Sequence, residues 1–107
     1  SQTMEMINAV TGWDINLDEA LRIGERSINM MRMFNLKAGL SSKDDILPSK
    51  LFKPLVGGVS DGYCVKPDEV KYAIEKYYAI SGWDAQGIPP SSVLNKLELD
   101  WIGDLDY

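Results

Sequence analysis

Thr11-Gly-Trp-Asp-Ile-Asn-Leu-Asp-Glu-Ala-Leu-Arg-Ile-Gly-Glu-Arg-Ser-Ile-Asn-Met-Met-Arg-Met-Phe-Asn-Leu-Lys-Ala-Gly39 is the longest uninterrupted helical signal in the chain. Asn16 reads as an N-cap, and Glu19 stands three residues later at the spacing of a capping box. Asp18 and Glu19 also place negative charge at the positive end of the helix dipole. The pattern predicts a helix from about Leu17 to Lys37, ended by Gly39. Two apolar series overlap on it: Leu21, Gly24, Ile28 and Met31, and beside them Ala20, Ile23, Met30 and Phe34. Arg22, Glu25, Asn29 and Arg32 follow the same spacing on the polar side, where neighbouring pairs contribute a few tenths of a kcal/mol each if exposed. Gly24 costs about 1 kcal/mol against Ala in a helix interior, which leads us to expect another helix close against it. A helix apolar over most of its circumference normally lies inside something larger.

Working outward from this helix, Thr3 to Val10 reads as a short helix with Met4 and Ile7 apolar and Asn8 facing out. Gly12 suits a left-handed C′ position, with Trp13 folding back over Ile7 in a Schellman ending. On the other side, Leu40 to Pro48 is a turn-rich link in which Ser41 or Ser42 caps a single turn, and Ser49 to Lys53 allows another. Residues 54–65 read as a flexible glycine-rich link, at most a minor hairpin. Pro67, Asp68 and Glu69 open a second substantial helix with Val70, Ala73, Ile74, Tyr77 and Tyr78 on its apolar face. Ser81-Gly-Trp-Asp84 closes it by what reads as the same stop as Thr11-Gly-Trp-Asp14. A short last helix starts at Pro90 or Ser91, and Leu99 to Tyr107 is expected to lie extended on the body. The fold class is all-α: a small irregular multi-helical bundle with one long central helix, short helices and Pro/Gly-rich loops, forming a single domain over residues 1–107.

Composition narrows the chemistry. An apolar fraction of 45% with 25% charged residues is that of a globular protein with a core. A net charge of −5, without Lys/Arg clusters, argues against nucleic acid. No apolar run approaches the ~20 residues of a membrane span. The start Ser-Gln-Thr-Met-Glu lacks the basic, apolar signature of a secretory leader. The single cysteine, Cys64, fits a reducing compartment and hence a cytoplasmic location. There is no histidine for a triad, shuttle or metal ligand. One cysteine holds neither a four-thiolate cluster nor a thiolate zinc site.

Several of these residues, taken in order, carry a resemblance. They are Thr-Gly-Trp-Asp14, Gly24-Glu-Arg26, Asn29, Arg32, Phe34-Asn35, Gly39, Lys43-Asp-Asp45, Leu47-Pro48, Tyr77-Tyr78, Gly82-Trp-Asp84 and Gly87-Ile-Pro89. The ordered set, spanning roughly residues 5–102, resembles the C-terminal end of the tungsten-containing aldehyde ferredoxin oxidoreductase family. Residues 56–63 fall outside the resemblance, and Lys37 stands where the family commonly has Arg. The resemblance implies an enzyme that oxidises aldehydes with water to carboxylic acids and passes electrons to ferredoxin, in an anaerobic organism. It implies tungsten held by two pterin dithiolenes beside a 4Fe-4S cluster. It also implies that the cluster cysteines, the pterin segments and the acid/base residues lie N-terminal to the matched region. On that reading this chain is scaffold, with no catalytic, cofactor-binding or metal residue of its own, and its partners are the upstream domains.

The residues left as interdomain or channel candidates are Glu25, Arg26, Arg32, Lys43, Asp44 and Asp45. Glu25 and Arg26 suggest an ion pair that is buried or faces another domain, which requires further polar partners. Asp44-Asp45 in a loop more often means a turn, a cap or a salt bridge than acid/base work. Cys64 reads as an ordinary thiol, and Trp13 and Trp83 as helix-end packing. An uncovered apolar face on the long helix points to self-association through Met30, Met33 and Phe34. The competing reading is a stand-alone helical interaction module without redox activity.

Overall fold

The computed structural model describes residues 1–104. Its helices are α1 (Gln2–Thr11), α2 (Leu17–Lys37), α3 (Pro67–Ser81) and α4 (Ser91–Lys96), with short 3-10 turns at Ser42–Asp44, Ser49–Phe52 and Asp100–Asp104. No strand occurs among the described residues, so the fold is all-α.

Local chemistry sets the helix ends. Asn16 Oδ1 accepts from the Glu19 N–H at 2.9 Å, and Glu19 Oε2 accepts from the Asn16 N–H at 2.8 Å, closing the expected capping box. At the far end the Leu40 N–H reaches Asn35 O at 3.0 Å and the Gly39 N–H reaches Leu36 O at 3.1 Å, with Gly39 at φ 94°. That is the Schellman pair. Helix α3 ends the same way: the Trp83 N–H reaches Tyr78 O at 2.9 Å and the Gly82 N–H reaches Ala79 O at 3.2 Å. The first Gly-Trp-Asp stop differs. The Gly12 N–H reaches Asn8 O at 2.9 Å, a single bond of the αL type, and the Trp13 N–H is taken by Thr11 Oγ1 at 3.2 Å. Trp13 therefore stays 58% exposed and forms no Schellman ending. Asn8, expected to face out, instead pairs through its amide with the N–H and carbonyl of Ile15 and fixes the α1–α2 corner.

The core is small. Leu94, Leu97, Leu99 and Ile102 form it, with Met33 of α2 and Val93 packed against them. The C-terminal stretch therefore does not lie extended: Leu99 is fully buried, and residues Asp100–Asp104 turn back to bring Ile102 into the cluster. The expectation for residues 105–107 lies outside the described residues.

Helix α2 turns its polar side toward the rest of the chain. Its one buried residue is Asn29, from the polar series. Leu21, Ile23, Ile28, Met31 and Phe34 are all exposed. A Cβ built on Gly24 meets nothing within 4 Å, so no close helix approach offsets the glycine. The reason is that α2 meets the rest of the chain through Arg22, Arg26 and Arg32, which donate to carbonyls and to the Asp45 carboxylate, and through Asn29, which accepts from the Trp83 indole N–H; apolar side chains cannot satisfy these groups. The molecule is correspondingly open. Its radius of gyration is 18.4 Å, against about 13 Å for a compact chain of this length.

Candidate functional site

Four segments meet around one guanidinium, that of Arg32. Asp45 follows the Ser42–Asp44 turn, which is held by its own capping box: Asp44 Oδ2 accepts from the Ser41 N–H at 2.8 Å, and Ser41 Oγ from the Lys43 N–H at 3.3 Å. Arg32 of α2 grips Asp45 with both ends of its fork, Nη1 to Oδ1 at 2.9 Å and Nη2 to Oδ2 at 2.8 Å. Such bidentate, charge-assisted pairs are the strong class of hydrogen bond. The Tyr78 hydroxyl, from α3, donates to the same Asp45 Oδ2 and accepts from Arg32 Nη2 at 3.3 Å. The remaining donor of the fork, Nε, reaches the Gly87 carbonyl at 2.7 Å.

That carbonyl is presented by a tight loop. Asp84 Oδ1 accepts from the N–H groups of Gln86 and Ile88, both at 2.9 Å, and the Gly87 N–H closes back on Asp84 O at 2.9 Å. Gly87 sits at φ 71°, and a Cβ there would stand 2.6 Å from Tyr78 Cζ. Only glycine fits. Below the clamp the Trp83 ring lies 5.1 Å from the Arg32 guanidinium and 5.5 Å, edge-on, from Tyr77. Its N–H donates to Asn29 Oδ1 at 2.9 Å, and Asn29 Nδ2 donates to Glu25 O at 2.9 Å. Both polar atoms of the buried Asn29 side chain thus have a partner.

The electrostatics fit a clamp. The hydrogen bonds from Arg32 hold the Asp45 carboxyl below its usual range, and the same bonds raise Arg32. Burial, and then the hydrogen bond to Asp45, push the Tyr78 phenol above its ordinary value. All three shifts move away from neutrality, whereas a general acid or base works best with a pKa near the operating pH. The arrangement holds three segments of the chain together through charge-assisted hydrogen bonds.

Of the six sequence candidates, the structure brings Arg32 and Asp45 together. Asp44 and Lys43 serve the turn that delivers Asp45. Arg26 and Glu25 do not form the expected ion pair. Arg26 turns to Leu97 O and stands 3.8 Å from Glu98, while Arg22 Nη2 reaches Lys96 O and Glu98, each at 3.2 Å. These two arginines satisfy the carbonyls at the end of α4, where Glu98 takes a positive φ of 56°. Sequence reasoning assigned no site role to Tyr78, Trp83, Gly87, Asn29 or Glu98. The first four belong to the ordered motif set, so the motif itself was the available signal.

Along the Arg32–Asp45–Tyr78 clamp runs an open, mostly apolar groove of about 980 Å³ between α3 and residues 42–52. Among the described residues no group of three or more His, Cys, Asp or Glu side chains converges as for a metal ion. The one cysteine, Cys64, cannot supply the four thiolates of an iron–sulfur cluster, so the residues present do not fit that cofactor.

The chain is thus an all-helical unit with an inward polar clamp and outward apolar faces. Residues 1–99 match the family model for aldehyde ferredoxin oxidoreductase, domains 2 and 3, and the chain belongs to that family. The tungsten-containing aldehyde ferredoxin oxidoreductase of Pyrococcus horikoshii is 41% identical over 98 residues, 90% of this chain and 16% of the relative. That of Pyrococcus furiosus is 39% identical over 95 residues, 87% of this chain and 15% of the relative. The aliphatic sulfonate oxidoreductase, WOR-like subunit, of the same organism is 32% identical over 100 residues, 88% of this chain and 16% of the relative. The chain thus spans about one sixth of the length of these relatives. In fold it is similar to the active site complex BamBC of benzoyl coenzyme A reductase. The TM-score is 0.71 at 24% identity, over 95% of this chain and 14% of that one.

Proposed function

We propose that residues 1–107 act as one helical scaffold unit of a tungsten-containing aldehyde ferredoxin oxidoreductase, which converts an aldehyde and water to a carboxylic acid and passes electrons to ferredoxin. The unit itself supplies neither the pterin-held tungsten nor the 4Fe-4S cluster; both belong to upstream domains, and the whole enzyme works in the cytoplasm. The observation that carries this reading is the facing of α2. Its polar side chains, Arg26, Asn29 and Arg32, are spent inside the chain on Leu97, Trp83, Gly87 and Asp45, while Leu21, Ile23, Met31 and Phe34 face outward as an unburied surface. A long helix with its apolar side uncovered packs against another body. Interdomain roles for Glu25 and Lys43 belong to this reading, because neither side chain takes part in the Asp45 clamp.

The test is the reading frame that encodes the chain. Expressed whole under anaerobic conditions with tungstate, it is expected to reduce a viologen dye when given an aldehyde, and the 107-residue piece alone to do nothing. A frame that encodes only these residues, or a whole protein without tungsten and without aldehyde-dependent reduction, would sink the reading. No helix among the described residues is long and apolar enough to cross a membrane.

A further inference from the structure

We propose that residues 41–66 form a strap over the apolar face of α3, latched to the helices through Asp45, whose release changes the width of the groove beneath it.

The strap leaves α2 just after Gly39 and rejoins the helical frame at Pro67. Most of its hydrogen bonding is internal. The Val65 N–H reaches Leu51 O at 3.0 Å, so its two limbs are tied together. Beyond that tie, the Leu55 N–H reaches Tyr63 O at 2.9 Å and the Gly62 N–H reaches Leu55 O at 2.8 Å, closing the glycine-rich loop at its base. Gly57 is held by Asp61 Oδ1 at 2.6 Å. A segment that satisfies its own backbone can shift as a body without leaving orphaned polar groups.

Apart from the Lys66 N–H, which meets Glu69 Oε2 at 3.4 Å where the strap runs into the first turn of α3, its side-chain bonds to the helices run through Asp45, which takes Arg32 of α2 and Tyr78 of α3 on its two oxygens. On either side of that latch lies the groove, with Ile46, Leu47 and Phe52 on the strap wall and Val70 and Ile74 on the α3 wall. The small Leu94–Ile102 core contains no strap residue and no α3 residue. The position of the strap over α3 is therefore set by a directional polar contact, and not by the packing that holds α2, α4 and the last turn. Rupture of a polar latch of this kind opens one cooperative segment and leaves the rest closed. This inference concerns the motion of the chain and does not depend on which reaction the whole enzyme performs.

The test is hydrogen exchange, followed by mass spectrometry, on the full-length protein carrying Asp45→Asn and, separately, Tyr78→Phe. Asp45→Asn is expected to speed exchange of slow amides in 41–66 roughly 10- to 100-fold, the range set by loss of a charge-assisted pair. Exchange in α4 and the middle of α2 is expected to stay unchanged. Tyr78→Phe, which removes one hydroxyl and keeps the Arg32–Asp45 pair, is expected to loosen the same segment by a smaller factor. Unchanged exchange in 41–66 for both variants overturns the proposal. If Asp45→Asn loses protection throughout the chain, Tyr78→Phe decides: loosening confined to the strap supports the latch, and any other pattern rejects it.

Discussion

Gly87 is where the clamp leaves no room. Its φ of 71° already disfavours any side chain, and a methyl there would press on Tyr78 Cζ at 2.6 Å and on the guanidinium of Arg32. A ring held on a buried helix face cannot step aside as a flexible chain end can. We expect Gly87→Ala to destabilise the chain by about 2–4 kcal/mol, adding left-handed strain to overpacking, read by chemical denaturation. Gly24 gives the opposite sign. Nothing lies within 4 Å of its added Cβ, so Gly24→Ala is expected to stabilise the isolated chain by up to about 1 kcal/mol. The same change measured in the whole enzyme is informative: a loss there would mean that another domain approaches α2 at this point. The site was only half legible at this scale. Arg32 and Asp45 stood out as charges, but Tyr78 read as one more apolar residue of a helix. Their bonds span 13, 33 and 46 residues of chain, and no periodicity encodes which distant partners meet.

At the scale of elements, the helices and their ends were readable because their causes are local. The Asn16–Glu19 box and the glycines at 39 and 82 act within a few residues of sequence. The repeated Gly-Trp-Asp shows the limit. Identical Gly-Trp-Asp residues end α1 and α3 differently: the Trp13 N–H goes to the Thr11 hydroxyl, whereas the Trp83 N–H goes to the helix carbonyl of Tyr78 and its indole N–H to Asn29. Facing was not readable either. Periodicity separates two sides of α2 but does not say which side the rest of the chain takes. Because the clamp joins α2 and α3, its titration should be felt by both. Asp45 titrates below its unfolded value, so its contribution is present above that value and lost as pH falls through the lowered one. Tyr78 titrates above the ordinary 10.0, so stability holds below that pH and falls as pH rises through the raised value, when the phenolate would face the Asp45 carboxylate. Thermal unfolding followed across pH is expected to show a plateau between the two. Tyr78→Phe should flatten the alkaline fall and move the acid limb only a little toward higher pH, since Arg32, the larger cause, still holds Asp45. An alkaline limb unchanged in Tyr78→Phe would remove the phenol from the account.

The whole molecule is too open to be explained by its own contacts. Four buried side chains, with Met33 and Val93 against them, form its core, and its extents of 50 × 40 × 23 Å leave both main helices with uncovered apolar sides. Left uncovered, such a surface associates with copies of itself. The association face expected from sequence needs one amendment: Met33 packs against the Leu94 cluster and is spent, while Met30, 40% exposed, and Phe34, 63% exposed, remain available. Sedimentation velocity on the isolated chain is expected to show species heavier than the 12.0 kDa monomer, growing with concentration. A Met30→Glu, Phe34→Glu double variant is expected to shift the population toward monomer, since two carboxylates on the face oppose burial of their counterparts. Both side chains lie outside the buried core, so the helical circular dichroism should survive the change. If wild type sediments as a clean monomer and binds no apolar dye, the outward face of α2 is not a surface in want of a partner, and the scaffold reading loses the observation on which it stands.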